Sequence, residues 1–91
     1  MAKQSPKLKG VLKRIGLRTR ELRRQRGLTQ EETAAKLDLE VQNYSDLERG
    51  KRNVTVNTLL RVAAVLGVDI AELFVVPKAR KVRPGRPRKT E

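Results

Sequence analysis

Cysteine, histidine and tryptophan are absent from this chain of 91 residues, and phenylalanine and tyrosine occur once each. Without cysteine there is no disulfide and no thiolate ligand, and without histidine no imidazole ligand or base. The commonest metal sites and nucleophile–base pairs are thereby excluded. No glycine-rich phosphate loop stands in their place, so no enzymatic activity, cofactor or metal is expected. With 37% apolar residues and almost no aromatics, one small core has to be built from Leu, Val, Ile and Ala. Uninterrupted apolar stretches run to only a handful of residues, too short for a membrane span. The basic N-terminus also lacks the apolar segment of a signal peptide, so a cytoplasmic location and no membrane partner are expected.

Acidic residues are scarce as well, 10 against 22 Lys and Arg, for a net charge of +12. A polyanion is therefore the first partner to consider. Residues 1–14 carry five basic residues and no acid, and residues 76–91 carry seven basic residues and one acid. Between them, residues 15–75 hold ten basic and nine acidic residues and are close to neutral. Blocks of like charge repel themselves and gain little by folding. Residues 1–10 and 77–91 are therefore expected as disordered basic arms on a domain spanning 11–76.

Within that domain the apolar positions Leu8, Val11, Leu12, Ile15 and Leu22, with Thr19 filling the stripe, recur at helical spacing. Arg14, Arg18, Arg20, Arg24 and Arg26 occupy the opposite face, and Gly27 is the expected stop. Thr29 followed by Glu32 forms a capping box for a second helix over 30–37. A third helix is expected through Val41, Tyr44, Leu47 and Glu48, stopped by Gly50. Thr55 caps a fourth, whose inward face reads Val56, Leu59, Leu60, Ala63, Leu66 before Gly67. Asp69 with Glu72 predicts a capping box for a fifth helix over 70–75, closed by Pro77. The expected fold class is all-α, five short helices with no strand.

Two short helices separated by a tight connection form a helix-turn-helix arrangement. The residues sharpen this. Gly27-Leu28-Thr29-Gln30-Glu31-Glu32, Leu47-Glu48-Arg49-Gly50-Lys51-Arg52, then Leu59, Ala63, Leu66-Gly67-Val68 and Glu72-Leu73-Phe74 resemble the lambda repressor/Cro-like (XRE-type) helix-turn-helix family. The resemblance covers residues 15–74. It implies a compact lambda repressor-like domain that binds double-stranded DNA as a homodimer, in the cytoplasm and on the nucleoid.

It also implies roles for matching residues. The segment 40–49 becomes the recognition helix, with Val41, Gln42, Asn43 and Asp46 facing base edges. Gln42 and Asn43 suit adenine, Val41 a thymine methyl and Asp46 the cytosine amino group. Gln30 sits at a helix N-terminus suited to a phosphate. Arg49, Lys51, Arg52 and Asn53 lie in a loop over the DNA backbone. Glu48 is expected to pair with Arg23 and to be structural. Asp38 stands where the family's turn usually has Gly, and Thr33 and Tyr44 replace common aliphatics. Glu40, Asp38 and Asp46 make the reading surface acidic, so the arms are expected to supply much of the affinity.

In the C-terminal arm, Arg83-Pro84-Gly85-Arg86-Pro87-Arg88-Lys89 resembles an AT-hook. Arg83, Gly85, Arg86, Pro87 and Arg88 would contact an A/T-rich minor groove, or else serve as a generic phosphate-binding tail. Two other classes remain open: an architectural nucleoid-type DNA-binding protein, and an antitoxin or adaptor whose acidic third helix meets a protein partner. The apolar residues Ile70, Leu73, Phe74, Val75 and Val76 are the expected dimer face.

Overall fold

The computed structural model describes residues 6–78. These comprise four α-helices, α1 (Pro6–Gln25), α2 (Gln30–Lys36), α3 (Val41–Glu48) and α4 (Val56–Leu66), followed by a 3-10 turn at Ile70–Phe74. The all-α class holds, but the start of the first helix and the helix count differ from expectation.

Helix α1 starts at Pro6, so residues 6–10, expected in the N-terminal arm, are helical instead. Proline suits a first helical position because its φ is already helical and its missing N–H has no partner there to lose. At the other end, the expected fifth α-helix is a 3-10 turn, and the Asp69–Glu72 capping box is not closed. Asp69 Oδ1 accepts from the Ala71 N–H at 2.9 Å. Glu72 is claimed by α1: Arg18 Nη2 donates to its Oε1 at 2.8 Å and Arg18 Nε to its carbonyl at 2.8 Å.

Local chemistry sets the other boundaries. Thr29 Oγ1 accepts from the Glu32 N–H at 3.0 Å while Glu32 Oε1 accepts from the Thr29 N–H at 2.8 Å, the reciprocal box expected for α2. Thr55 caps α4 by accepting from the Thr58 N–H at 3.0 Å. The turn after α2 passes through Asp38 at φ 59°, with the Leu39 N–H donating to the Ala34 carbonyl at 2.9 Å. Aspartate thus takes the left-handed position that usually calls for glycine.

The core gathers Ile15 and Leu22 of α1, Ala34 and Leu37 around α2, Tyr44 and Leu47 of α3, Leu59, Val62, Ala63 and Leu66 of α4, and Leu73. Each large aliphatic so buried contributes about 1.5–3 kcal/mol. The inward face of α4 keeps Leu59, Ala63 and Leu66 as read from spacing but differs at three positions. Val62 is buried, whereas Val56 and Leu60 are 67% and 51% exposed. Thr33 is buried at little cost, because its Oγ1 donates to the Thr29 carbonyl at 2.9 Å.

Close approach of α1 to α3 depends on Gly16. A Cβ there would collide with the backbone carbonyls of Leu47 and Glu48. The C-terminal end of α3 is thereby pressed against the middle of α1.

Candidate nucleic-acid interface

The orientation of α3 is set by a buried ion pair. Arg23 Nε donates to Glu48 Oε2 at 2.6 Å and Nη2 to Oε1 at 3.2 Å, while Nη1 reaches the Leu28 carbonyl at 2.8 Å. Gln30 Nε2 adds a bond to Glu48 Oε1 at 2.9 Å. Helices α1, α2 and α3 are therefore tied at one carboxylate. Burial alone would raise the Glu48 pKa, but the hydrogen bonds from Arg23 and Gln30 and the guanidinium charge outweigh it, and the carboxyl is held below its ordinary value. The same hydrogen bond raises Arg23. Tyr44, fully buried beside the pair, has its phenol pushed far up by burial and then by the Glu48 charge.

With Tyr44, Leu47 and Glu48 turned inward, the outward side of α3 follows from helical spacing. Gln42, Ser45, Asp46 and Arg49 recur at i, i+3, i+4 and i+7, flanked by Val41 and Asn43. Gln42 and Asn43 are exposed and Asp46 is half-buried. Val41 is 42% exposed. Gln42 Nε2 donates to Asp46 Oδ1 at 3.1 Å, which holds the amide along the helix surface.

Two basic clefts border this stripe. The larger, about 570 Å³, lies between α1, the start of α2 and α3; Arg20, Arg24, Gln30, Ser45 and Arg49 line it, together with two acids, Glu31 and the Arg23-paired Glu48. The second, about 430 Å³, is lined by Lys9, Lys13, Arg49, Gly50 and Lys51. Arg49 borders both.

This geometry of a short α2, a left-handed turn and an outward α3 is matched by the helix-turn-helix family profile over residues 20–73. The chain belongs to the helix-turn-helix family. Among curated helix-turn-helix relatives, an uncharacterized transcriptional regulator of Sinorhizobium fredii, y4dJ, is 49% identical over 61 residues, covering 67% of this chain and 79% of the relative. The control protein C.MunI of Mycoplasma is 42% identical over 62 residues, covering 67% and 84%. The crystal structure of the restriction-modification controller C.AhdI from Aeromonas hydrophila superposes with a TM-score of 0.69 at 38% identity, covering 72% of this chain and 96% of that one.

In this helix-turn-helix domain the sequence-predicted residues fall into separate groups. Val41, Gln42, Asn43 and Asp46 share the exposed side of α3. Gln30 occupies the first position of α2, but its amide nitrogen is bonded to Glu48 rather than left free. Arg49 and Lys51 share a cleft with the lysines of α1, whereas Arg52 and Asn53 line a different, smaller cleft against Leu39 and Leu47. Arg83, Gly85, Arg86, Pro87 and Arg88 lie outside the described residues. Sequence reasoning missed Ser45, Arg20 and Arg24, which line the larger cleft, as candidate interface residues. Ser45 lies three residues from Gln42 on the same stripe, and Arg20 and Arg24 are an exposed i, i+4 pair; both signals were readable. Among the described residues no group of three His, Cys, Asp or Glu could hold a metal ion, and no helix is long and apolar enough to cross a membrane.

Proposed function

We propose that this protein is a DNA-binding transcriptional regulator that binds a pseudo-palindromic operator as a homodimer, with α3 in the major groove. The observation that carries this reading is the outward stripe of α3, polar and solvent-facing, on a helix whose inner face is locked by the Arg23–Glu48 pair. A helix fixed in this way presents side chains to base edges at low conformational cost. Gln42 and Asn43 each offer the donor and acceptor pair that suits adenine, Val41 offers a methyl contact to thymine, and Asp46 an acceptor for cytosine. Gln30, Arg49, Lys51, Arg52 and Asn53 hold the sugar-phosphate backbone and set register. Residues 83–88 add phosphate or A/T minor-groove contacts, and the protein resides on the nucleoid. Relatives that are themselves transcriptional regulators and restriction-modification controllers support this reading.

Dimerisation through the exposed apolar residues Phe74, Val75 and Val76, 45%, 43% and 45% accessible, places two recognition helices about 10 base pairs apart. Leu73, first expected on this face, is fully buried in the domain's own core, and Ile70 is half-buried. Selection from a random duplex pool at about 150 mM salt tests the proposal. The full chain would be compared with a version ending at Lys78, since Pro77 is buried and the Lys78 N–H bonds to Glu21. An inverted repeat enriched by both proteins is the expected result. A/T-rich DNA without a repeat, enriched by the full chain alone, points instead to an architectural protein, and no enrichment overturns DNA binding.

A further inference from the structure

We infer that the N-terminal half of α1 is a second DNA-backbone contact, in which Lys9 and Lys13 join Arg49 and Lys51 to seat one phosphate group. This rests on the DNA-binding reading and extends it to residues that the family match at 20–73 does not include. Four cations from two segments far apart in sequence line one open cleft, and no acid lines it with them. Among the described residues none of the four is in an ion pair. Like charges held together without a counter-charge repel one another, and a phosphate relieves that repulsion.

The close packing behind the cleft is built rather than incidental. Gly50 has φ 71°, and a Cβ there would meet the backbone of Lys13 at 2.6 Å, so only glycine lets α1 lie directly on the loop. Helical spacing completes the arrangement. Lys9 and Lys13 are one turn apart on the same side of α1, and Arg20 and Arg24 continue that side beyond Gly16. Arg49 lines this cleft and also the one holding Arg20 and Arg24. The result is a continuous basic track beside α3, along which a DNA strand leaving the recognition helix runs toward the N-terminal half of α1.

The test is the salt dependence of binding of the full chain to a labelled mixed-sequence duplex of 30 base pairs, measured for wild type, Lys9→Gln/Lys13→Gln and Lys36→Gln/Lys78→Gln. The last variant removes the same charge elsewhere. Loss of that one phosphate contact lowers the slope of log K against log salt by about 0.9, which referred to 1 M salt is about a 5-fold loss of affinity at 150 mM. All four lysines are exposed, so thermal melts of the variants should match wild type. A slope for Lys9→Gln/Lys13→Gln equal to that of Lys36→Gln/Lys78→Gln overturns the proposal while leaving DNA binding intact. A wild-type chain that binds no duplex overturns both. A wild-type melting midpoint raised by inorganic phosphate above that in potassium chloride at equal ionic strength, with the duplex slopes of the two variants equal, assigns the cleft to a free anion and likewise overturns it.

Discussion

Glu48 receives two hydrogen bonds from Arg23, at 2.6 and 3.2 Å, across 25 residues of sequence, with both side chains nearly inaccessible to solvent. A buried pair of this kind contributes less net stability than its geometry suggests, because both charges have been taken out of water. Removing one partner has a larger effect, since it strands the other charge. Its role here is positional: it holds the inner face of α3 against α1, and with it the direction in which Gln42 and Asn43 point.

Glu48→Ala is therefore expected to destabilise the domain by about 3–5 kcal/mol, measured by urea denaturation at pH 7. Acid acts on the same contact. The Glu48 pKa lies below its ordinary value of 4.5, so its contribution is complete above that value and is lost as pH falls through the lower folded-state value. The stability gap between wild type and Glu48→Gln should accordingly narrow on acidification below about pH 4.5. A gap that stays constant from pH 7 to pH 3 would show that the carboxylate charge is immaterial.

Asp38→Gly is expected to raise stability by up to about 1 kcal/mol, because glycine adopts φ 59° without a steric cost. It also removes an acid from the proposed DNA side, so low-salt affinity for duplex should rise. Asp38→Ala should lower stability, since alanine lacks the short polar side chain that makes the left-handed region accessible. Equal melting midpoints for the two variants would contradict this account of the turn.

Gly16→Ala should cost about 1–3 kcal/mol or more, since the added methyl has only the backbone of Leu47 and Glu48 to push against. The displaced α3 should also weaken DNA binding although Gly16 touches no DNA in the proposed complex. Circular dichroism melts and duplex titration check the two effects separately.

Gln42→Ala combined with Asn43→Ala should abolish discrimination among duplex sequences, each lost base pairing being worth about 1–3 kcal/mol, while the salt slope is retained. Unchanged discrimination would remove these two residues from base reading.

Phe74→Glu should yield a folded monomer by sedimentation equilibrium, because its side chain is exposed in the single chain and placed at the proposed dimer face. A variant that still dimerises at the wild-type concentration would move the interface elsewhere.

What sequence alone determined here is what short-range chemistry determines. The Thr29–Glu32 box, the Thr55 cap and the glycine stops at Gly27 and Gly50 each involve groups a few residues apart, and all were legible, while the left-handed turn at Asp38 was marked only by the family resemblance. The family match made the Arg23–Glu48 pairing legible too, because those residue types recur at matching positions. Competition from afar decided the rest. Asp69 and Glu72 have capping-box spacing, yet Arg18 lies 54 residues away and takes Glu72 for itself. Val56 and Leu60 have core-like spacing on α4 yet stay exposed, while Val62 joins Leu59, Ala63 and Leu66 in the core, since packing partners select among faces that periodicity leaves nearly equivalent. The cleft of Lys9, Lys13, Arg49 and Lys51 has no trace in local pattern at all. It exists because Gly50 lets two backbones approach, and only the folded chain brings those backbones together.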